Sequence, residues 1–134
     1  MNILFLTQRV PYPPIKGDKL RAFHEIKFLS QRHEISLACL SADKKELDYE
    51  RALREYCQSV DIAVLPPARS KLQSLLSLFA KRPLTLSYFY SRKLQAIVQR
   101  CIREKPYDLI VVYCSSMAQY VEHVQEIPKV IDFV

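Results

Sequence analysis

The side chains best suited to chemistry gather around the chain's one glycine. Arg9, Lys16, Gly17, Asp18, Lys19 and Arg21 lie within a stretch that also holds Pro11, Pro13 and Pro14. Backbone N–H groups at a helix start, left uncovered by a residue with no side chain, suit an anion, and four nearby cations would strengthen that attraction. A chain of 134 residues would carry about nine glycines at the usual ~7%. Every other turn here is made without one. Glycine serves where the backbone needs positive φ or where a ligand comes close. Two readings of Gly17 follow: a plain turn leading into a helix, or the floor of a binding site. A second polar cluster, Tyr113-Cys114-Ser115-Ser116, comes much later in the chain.

Other chemistries find less support. Cys39, Cys57, Cys101 and Cys114 form no CxxC pair, and their spacing suits neither zinc nor a disulfide scaffold. They read as free thiols of a reducing, cytoplasmic compartment. His24, His33 and His123 are scattered, so no metal is expected. Cys114 has no neighbouring base in sequence, which argues against a nucleophilic thiol. The N-terminal run Met1–Leu6 lacks the basic start and the length of a signal peptide. No apolar stretch approaches the ~18 residues of a membrane span.

Strand and helix patterns alternate along the chain. Ile3–Thr7 is a continuous apolar run, as expected of a strand buried on both faces. Asp18 is placed to cap a helix to about Gln31, with Ala22, Phe23, Ile26 and Leu29 on one face. Glu34–Leu40 predicts a second strand. Asp43 opens a helix to about Gln58 with Tyr49, Leu53 and Tyr56 inward, and Asp61–Leu65 predicts a third strand. Ser70–Ala80 has helical spacing, with Leu72, Leu75, Leu76 and Phe79 expected either to pack on the sheet or to meet a membrane. A helix from Ser91 to Lys105 buries Leu94, Ile97, Val98 and Cys101. Leu109–Tyr113 follows as a fourth strand, then a short helix from Ser115 or Ser116 to about Val124, then a final strand from Lys129.

This succession predicts an α/β fold, a Rossmann-like doubly wound parallel sheet of about five strands with helices on both faces. Ligands in such folds bind beyond the carboxyl ends of the strands, where the strand order reverses. With the order 3-2-1-4-5, the loop of Gly17 would face Tyr113–Ser116 across one crevice. With one glycine, neither GxGxxG nor a P-loop is present. A phosphoacceptor domain would need acidic residues where Thr7-Gln8-Arg9 and Leu65-Pro66-Pro67 stand, and a flavodoxin-type loop would be rich in Ser and Thr.

The first strand leads into a loop P-P-x-x-G-D-x-x-R, formed by Pro13-Pro14, Gly17-Asp18 and Arg21. This loop and the helix after it resemble the N-terminal domain of GT-B-fold glycosyltransferases of family 4. The stretch from Gln8 to Arg21 looks closest to sugar transferases associated with exosortase and exopolysaccharide loci. Relatives usually carry Gly-Gly where this chain has Gly17-Asp18. The resemblance implies a hexosyltransferase that moves a sugar from a nucleotide-sugar donor to a glycan or lipid-linked acceptor in exopolysaccharide biosynthesis. Residues 1–134 would be the acceptor-side domain. Most donor contacts, with an E-x7-E motif and the main catalytic residues, would lie in a C-terminal donor domain beyond Val134. The apolar end of the final strand, Lys129–Val134, reads as an internal boundary of a longer protein. The domain alone is therefore expected to be inactive, and no cofactor is implied beyond the nucleotide-sugar substrate. Residues carried over as substrate-binding are Arg9, Lys16, Gly17, Asp18, Arg21, Tyr113 and Ser115. Tyr113 stands where many relatives have a histidine near the transferred sugar. A tyrosine there can hydrogen-bond a hydroxyl but is a poor proton acceptor at neutral pH; alternatively, Tyr113 simply caps its strand and packs.

The charge is unevenly spread. Between Asp61 and Glu104 there is no acidic residue, while Arg69, Lys71, Lys81, Arg82, Arg92, Lys93, Arg100 and Arg103 give that segment +8 of a chain total of +6. Basic residues among leucines and aromatics compose an interfacial segment attracted to anionic lipid. Lys81, Arg82, Arg92 and Lys93 are the expected docking cations at the inner membrane face. Leu78, Phe89 and Tyr90 decide that reading: exposed together they favour it, buried they oppose it. The alternative is a non-catalytic basic α/β domain binding nucleic acid or anionic surfaces, although no helix-turn-helix, RRM or KH motif supports nucleic acid.

Overall fold

Five apolar runs become the strands of one parallel sheet in the computed structural model, which describes residues 1–15, 17–80 and 84–132. The strands are β1 (Asn2–Thr7), β2 (Glu34–Ser41), β3 (Ser59–Val64), β4 (Leu109–Tyr113) and β5 (Lys129–Asp132). They lie in the order β3-β2-β1-β4-β5, each parallel to its neighbours. Between them run the helices α1 (Gly17–Ser30), α2 (Glu50–Leu53), α3 (Pro67–Ala80), α4 (Leu84–Tyr88) and α5 (Arg92–Glu104). Two 3-10 helices, Lys44–Tyr49 and Ser115–Tyr120, complete the connections.

In β1, β2 and β4 the continuous apolar runs are explained by burial on both faces of the sheet, whereas β5, at the edge, leaves Val130 and Ile131 exposed. Successive residues of a strand point to opposite faces, so β1 serves two cores. Leu4 and Leu6 join Ala38, Leu40, Ile110 and Val112 under Leu94, Ile97, Val98 and Cys101 of α5. Ile3 and Phe5 join Ile35, Leu37, Val111 and Tyr113 under Ala22, Phe23 and Ile26 of α1. The fold is thus doubly wound, with the strand order that the sequence predicts. Ser91 caps α5 in extended conformation, its side chain accepting from Leu94 N–H at 3.2 Å. Buried Tyr120 ties the same junction to the second 3-10 helix, accepting from Ser91 N–H at 2.9 Å and donating to the Phe89 carbonyl.

Three local expectations are corrected. α1 begins at Gly17, so Asp18 sits inside the first turn, where its carboxylate accepts from Lys19 N–H at 2.9 Å. The helix expected from Asp43 to Gln58 is broken into a 3-10 turn and the four-residue α2. Asp43 does cap, accepting from Lys45 N–H. Lys44–Asp48, however, bring no buried side chain, so no packing holds them in α geometry, and only Leu53 is fully buried. The last helix is only the 3-10 turn ending at Tyr120.

At α3, one of the two readings left open for its leucines, packing on the sheet, does not hold. Its leucines follow helical spacing, yet the side that meets the protein is the serine side. Ser70 and Ser77 are buried with Ser74 beside them, while Leu72, Leu75, Leu76, Leu78 and Phe79 all face outward. Phe79 is 86% exposed. Pro67 occupies the first helical position, where its missing N–H costs nothing, and the Pro66 carbonyl accepts from Arg69 and Ser70 N–H. Small side chains at positions 70, 74 and 77 let α3 lie close over α4, and Gln73 donates across to the Ser87 and Tyr90 carbonyls at 2.9 and 3.0 Å. The three deciding residues therefore part company: Leu78 is exposed, while Phe89 and Tyr90 are half-buried against the core.

Candidate functional site

The loops at the carboxyl ends of the strands form the polar edge of the sheet. After β1 the chain turns at Gln8-Arg9, and Thr7 Oγ1 donates to the Arg9 carbonyl at 2.6 Å, setting the direction of the loop. After β2, Ser41 accepts from Asp43 N–H at 3.1 Å and its Oγ lies 2.8 Å from Glu46 Oε1. Lys19 Nζ, reaching from the first turn of α1, meets Glu46 Oε2 at 3.0 Å. These contacts tie β1, α1 and the segment after β2 into one frame.

That frame walls a cavity of about 320 Å³, near the lower end of small-ligand pockets. Gln8, Arg9, Lys19, Ser41 and Glu46 supply its polar side, and Leu65, Tyr88 and Phe89 its apolar side. Pro67 and Ser70 of α3 close it from beyond β3. Arg9 is its least committed cation: the side chain is 62% exposed, with Asp18 Oδ2 at 3.5 Å. Among the lining residues Glu46 is the one carboxylate, and it is held between Lys19 and Ser41. Its lining thus combines hydrogen-bonding and charged side chains with two aromatic rings.

The crevice expected between β1 and β4 is largely filled. Tyr113, in register with Thr7, is 1% exposed. Its ring stacks on Phe5, its hydroxyl donates to the Asp18 carbonyl at 3.0 Å, and burial raises its pKa. The two loops do meet, but they meet as packing. Arg21 is also engaged: its guanidinium lies 2.9 Å from Asp132 Oδ2 at the end of β5 and 3.4 Å from Glu25 Oε1. Burial, followed by the adjoining Asp132 carboxyl, holds the Glu25 pKa above its ordinary 4.5, against the opposing pull of Arg21.

Gly17 is exposed and has no positive φ, and a Cβ built on it would meet nothing within 4 Å. Neither a strained turn nor close packing requires glycine there; what the position offers is open space over the start of α1. Among the described residues, the one that takes positive φ is Cys114 (φ 87°), directly after β4, with its Sγ 3.2 Å from Ser116 Oγ. Ser115 is exposed beside it and Ser116 is buried. Burial raises the pKa of the Cys39 and Cys101 thiols and pushes that of Cys57 up to about 12, so none of these three is a thiolate at neutral pH.

Of the residues predicted for substrate binding, Arg9, Asp18, Arg21 and Tyr113 come together around the start of α1, with Gly17 at its tip. Of these only Arg9 lines the cavity. Lys16, with the docking residues Lys81 and Arg82, lies outside the described residues. Arg92 and Lys93 are exposed in the first turn of α5. The substrate-binding set omits Ser41, Glu46, Tyr88 and Phe89. The first two were within reach, since Ser41 ends β2 and Glu46 comes five residues later, and strand ends pool at one edge of such a sheet. Tyr88 ends α4 and Phe89 follows it, and the sequence carries no signal for that helix. Among the described residues no cluster of metal-ligating side chains occurs and no helix is long and apolar enough to cross a membrane. No family model, curated protein or solved structure matches the chain.

Proposed function

We propose that this chain is the acceptor-side, N-terminal domain of a GT-B-fold glycosyltransferase that transfers a sugar from a nucleotide-sugar donor to a glycan or lipid-linked acceptor in exopolysaccharide biosynthesis. It works in the cytoplasm against the inner membrane face, with a C-terminal donor domain of the same protein supplying most donor contacts and the catalytic residues. The observation that carries this reading is the cavity at the carboxyl ends of β1–β3. Arg9 and Lys19 line it together with Tyr88 and Phe89, beside the loop whose Pro13-Pro14, Gly17-Asp18 and Arg21 resemble the family's. A sugar needs both kinds of wall: polar groups for its hydroxyls and an aromatic surface for its C–H face. Arg9, 62% exposed with the Asp18 carboxylate 3.5 Å away, is the cation offered to a phosphate on either substrate.

In this reading the domain orients and does not itself catalyse, in keeping with a cavity whose one carboxylate is already held. The test is an amide-resolved NMR titration of the protein with a short-chain prenyl-diphosphate glucose. Shifts concentrated at Arg9, Lys19, Ser41 and Phe89, weakened by Arg9→Ala and accompanied by no sugar transfer, are the expected result. Turnover by these 134 residues alone would overturn the division of labour. Salt-sensitive binding of single-stranded oligonucleotides with no response to the glycoside would replace the reading with a basic nucleic-acid-binding domain.

A further inference from the structure

The apolar side of α3 faces away from the protein. Leu72, Leu75, Leu76 and Phe79 recur at i, i+3, i+4 and i+7, which places them on one side of a helix, and that side is opposite the buried Ser70 and Ser77. Leu78 widens the stripe, and all five side chains are more than half exposed. Contiguous apolar surface of this kind marks an interaction site. Its surroundings select the partner: Arg69 and Lys71 stand exposed on the same helix, and the whole stretch from Ile62 to Arg103 holds eight Lys or Arg and no Asp or Glu.

We propose that the outward face of α3 inserts into an anionic lipid surface, with α3 lying in the plane of the interface and its basic neighbours on the headgroups. A helix of 14 residues, about 21 Å long, with leucines on one face and cations beside them, is suited to that boundary, and each Lys or Arg near the headgroups adds attraction. A second copy of the chain is disfavoured by charge, since pairing through α3 would bring the exposed Arg69 and Lys71 of both copies together. A protein partner is disfavoured by composition: interface centres rely on Tyr, Trp and Arg more than on Leu, and the outward stripe offers only hydrocarbon. Phe89 and Tyr90 take no part, being packed on the core. The proposal gives the peripheral placement a specific element and rests on the exposure of α3, not on the transferase reading.

Vesicle co-sedimentation of the protein tests it, with phosphatidylcholine alone and with phosphatidylcholine mixed with phosphatidylglycerol. Binding to the mixed vesicles is expected, with a loss of about tenfold or more in Leu75→Asp/Phe79→Asp. That variant should keep its thermal midpoint, since neither side chain is in the core. Because the chain has no tryptophan, Phe79→Trp provides a single reporter whose emission should shift to the blue only on anionic vesicles. Unchanged binding by the double Asp variant, an unshifted reporter, absence of sedimentation with either vesicle, or a solution dimer dissolved by the double variant would each overturn insertion. Glycoside binding at the cavity would stand or fall separately.

Discussion

Replacing Tyr113 by phenylalanine separates the two roles open to this residue. The ring is buried and stacked on Phe5, and phenylalanine preserves that packing; what is removed is the hydroxyl donating to the Asp18 carbonyl at 3.0 Å. A neutral hydrogen bond contributes about 0.5–1.5 kcal/mol net, so Tyr113→Phe should cost about 1 kcal/mol. For a chain of this size that corresponds to a fall of roughly 3–5 °C in Tm. Tyr113→Ala, which also empties the ring's place between α1 and the sheet, should cost about 3–5 kcal/mol. Urea denaturation measures both, and the slope of the transition should be unchanged in Tyr113→Phe if only stability is affected. Titration with the prenyl-diphosphate glucose completes the test, because a hydroxyl pinned to α1 should leave affinity within about twofold. A Tyr113→Phe protein with an unshifted midpoint and an affinity lowered about tenfold would refute the packing argument. It would return the hydroxyl to the substrate.

Three further outcomes follow from the geometry. Phe79→Ala should cost under about 1 kcal/mol, against the 3–5 kcal/mol of a core phenylalanine; a thermal melt showing the larger loss would mean that α3 packs by its leucine face. At Cys114, whose φ of 87° strains any side chain by about 1–3 kcal/mol, Cys114→Gly should be more stable than Cys114→Ala in urea, the reverse of the order in a regular helix; Ala equal to or better than Gly would deny the strain. Glu25, with its pKa raised in the folded state by burial and by Asp132, binds its proton more tightly folded than unfolded, so its contribution to stability falls as pH rises through the window above 4.5. Glu25→Gln should match the parent below that window and exceed it at neutral pH; a stability difference that is flat between pH 3.5 and pH 7 would refute the linkage.

Strand content, sheet order and the two-faced core were readable from the chain, because a continuous apolar run of four to eight residues is stable only where both faces are covered, and alternation with helical stretches leaves few topologies. The inward faces of α1 and α5 were readable for a related reason: Ala22, Phe23 and Ile26, like Leu94, Ile97 and Val98, fall on one face at helical spacing. The break after Lys44–Asp48 was not, since it depends on packing those residues lack.

α3 shows where sequence reasoning ends. It carries two stripes at helical spacing, leucines on one side and Ser70, Ser74 and Ser77 on the other. Hydropathy favours burying the first, yet close approach to α4 admits only the second. The same holds for the site. The order of strands located the polar edge of the sheet, but whether the crevice beside β4 stayed open depended on a tyrosine hydroxyl finding the Asp18 carbonyl, and the cavity on the β2–β3 side depended on α4 delivering Tyr88 and Phe89. The sequence by itself determined the five strands and the long helices between them, how they succeed one another and at which edge polar residues collect, because these follow from local periodicity and connection rules. Which face of a helix is covered, and which gap between loops remains open, was decided only by the tertiary structure, because burial belongs to a pair of surfaces and not to one segment.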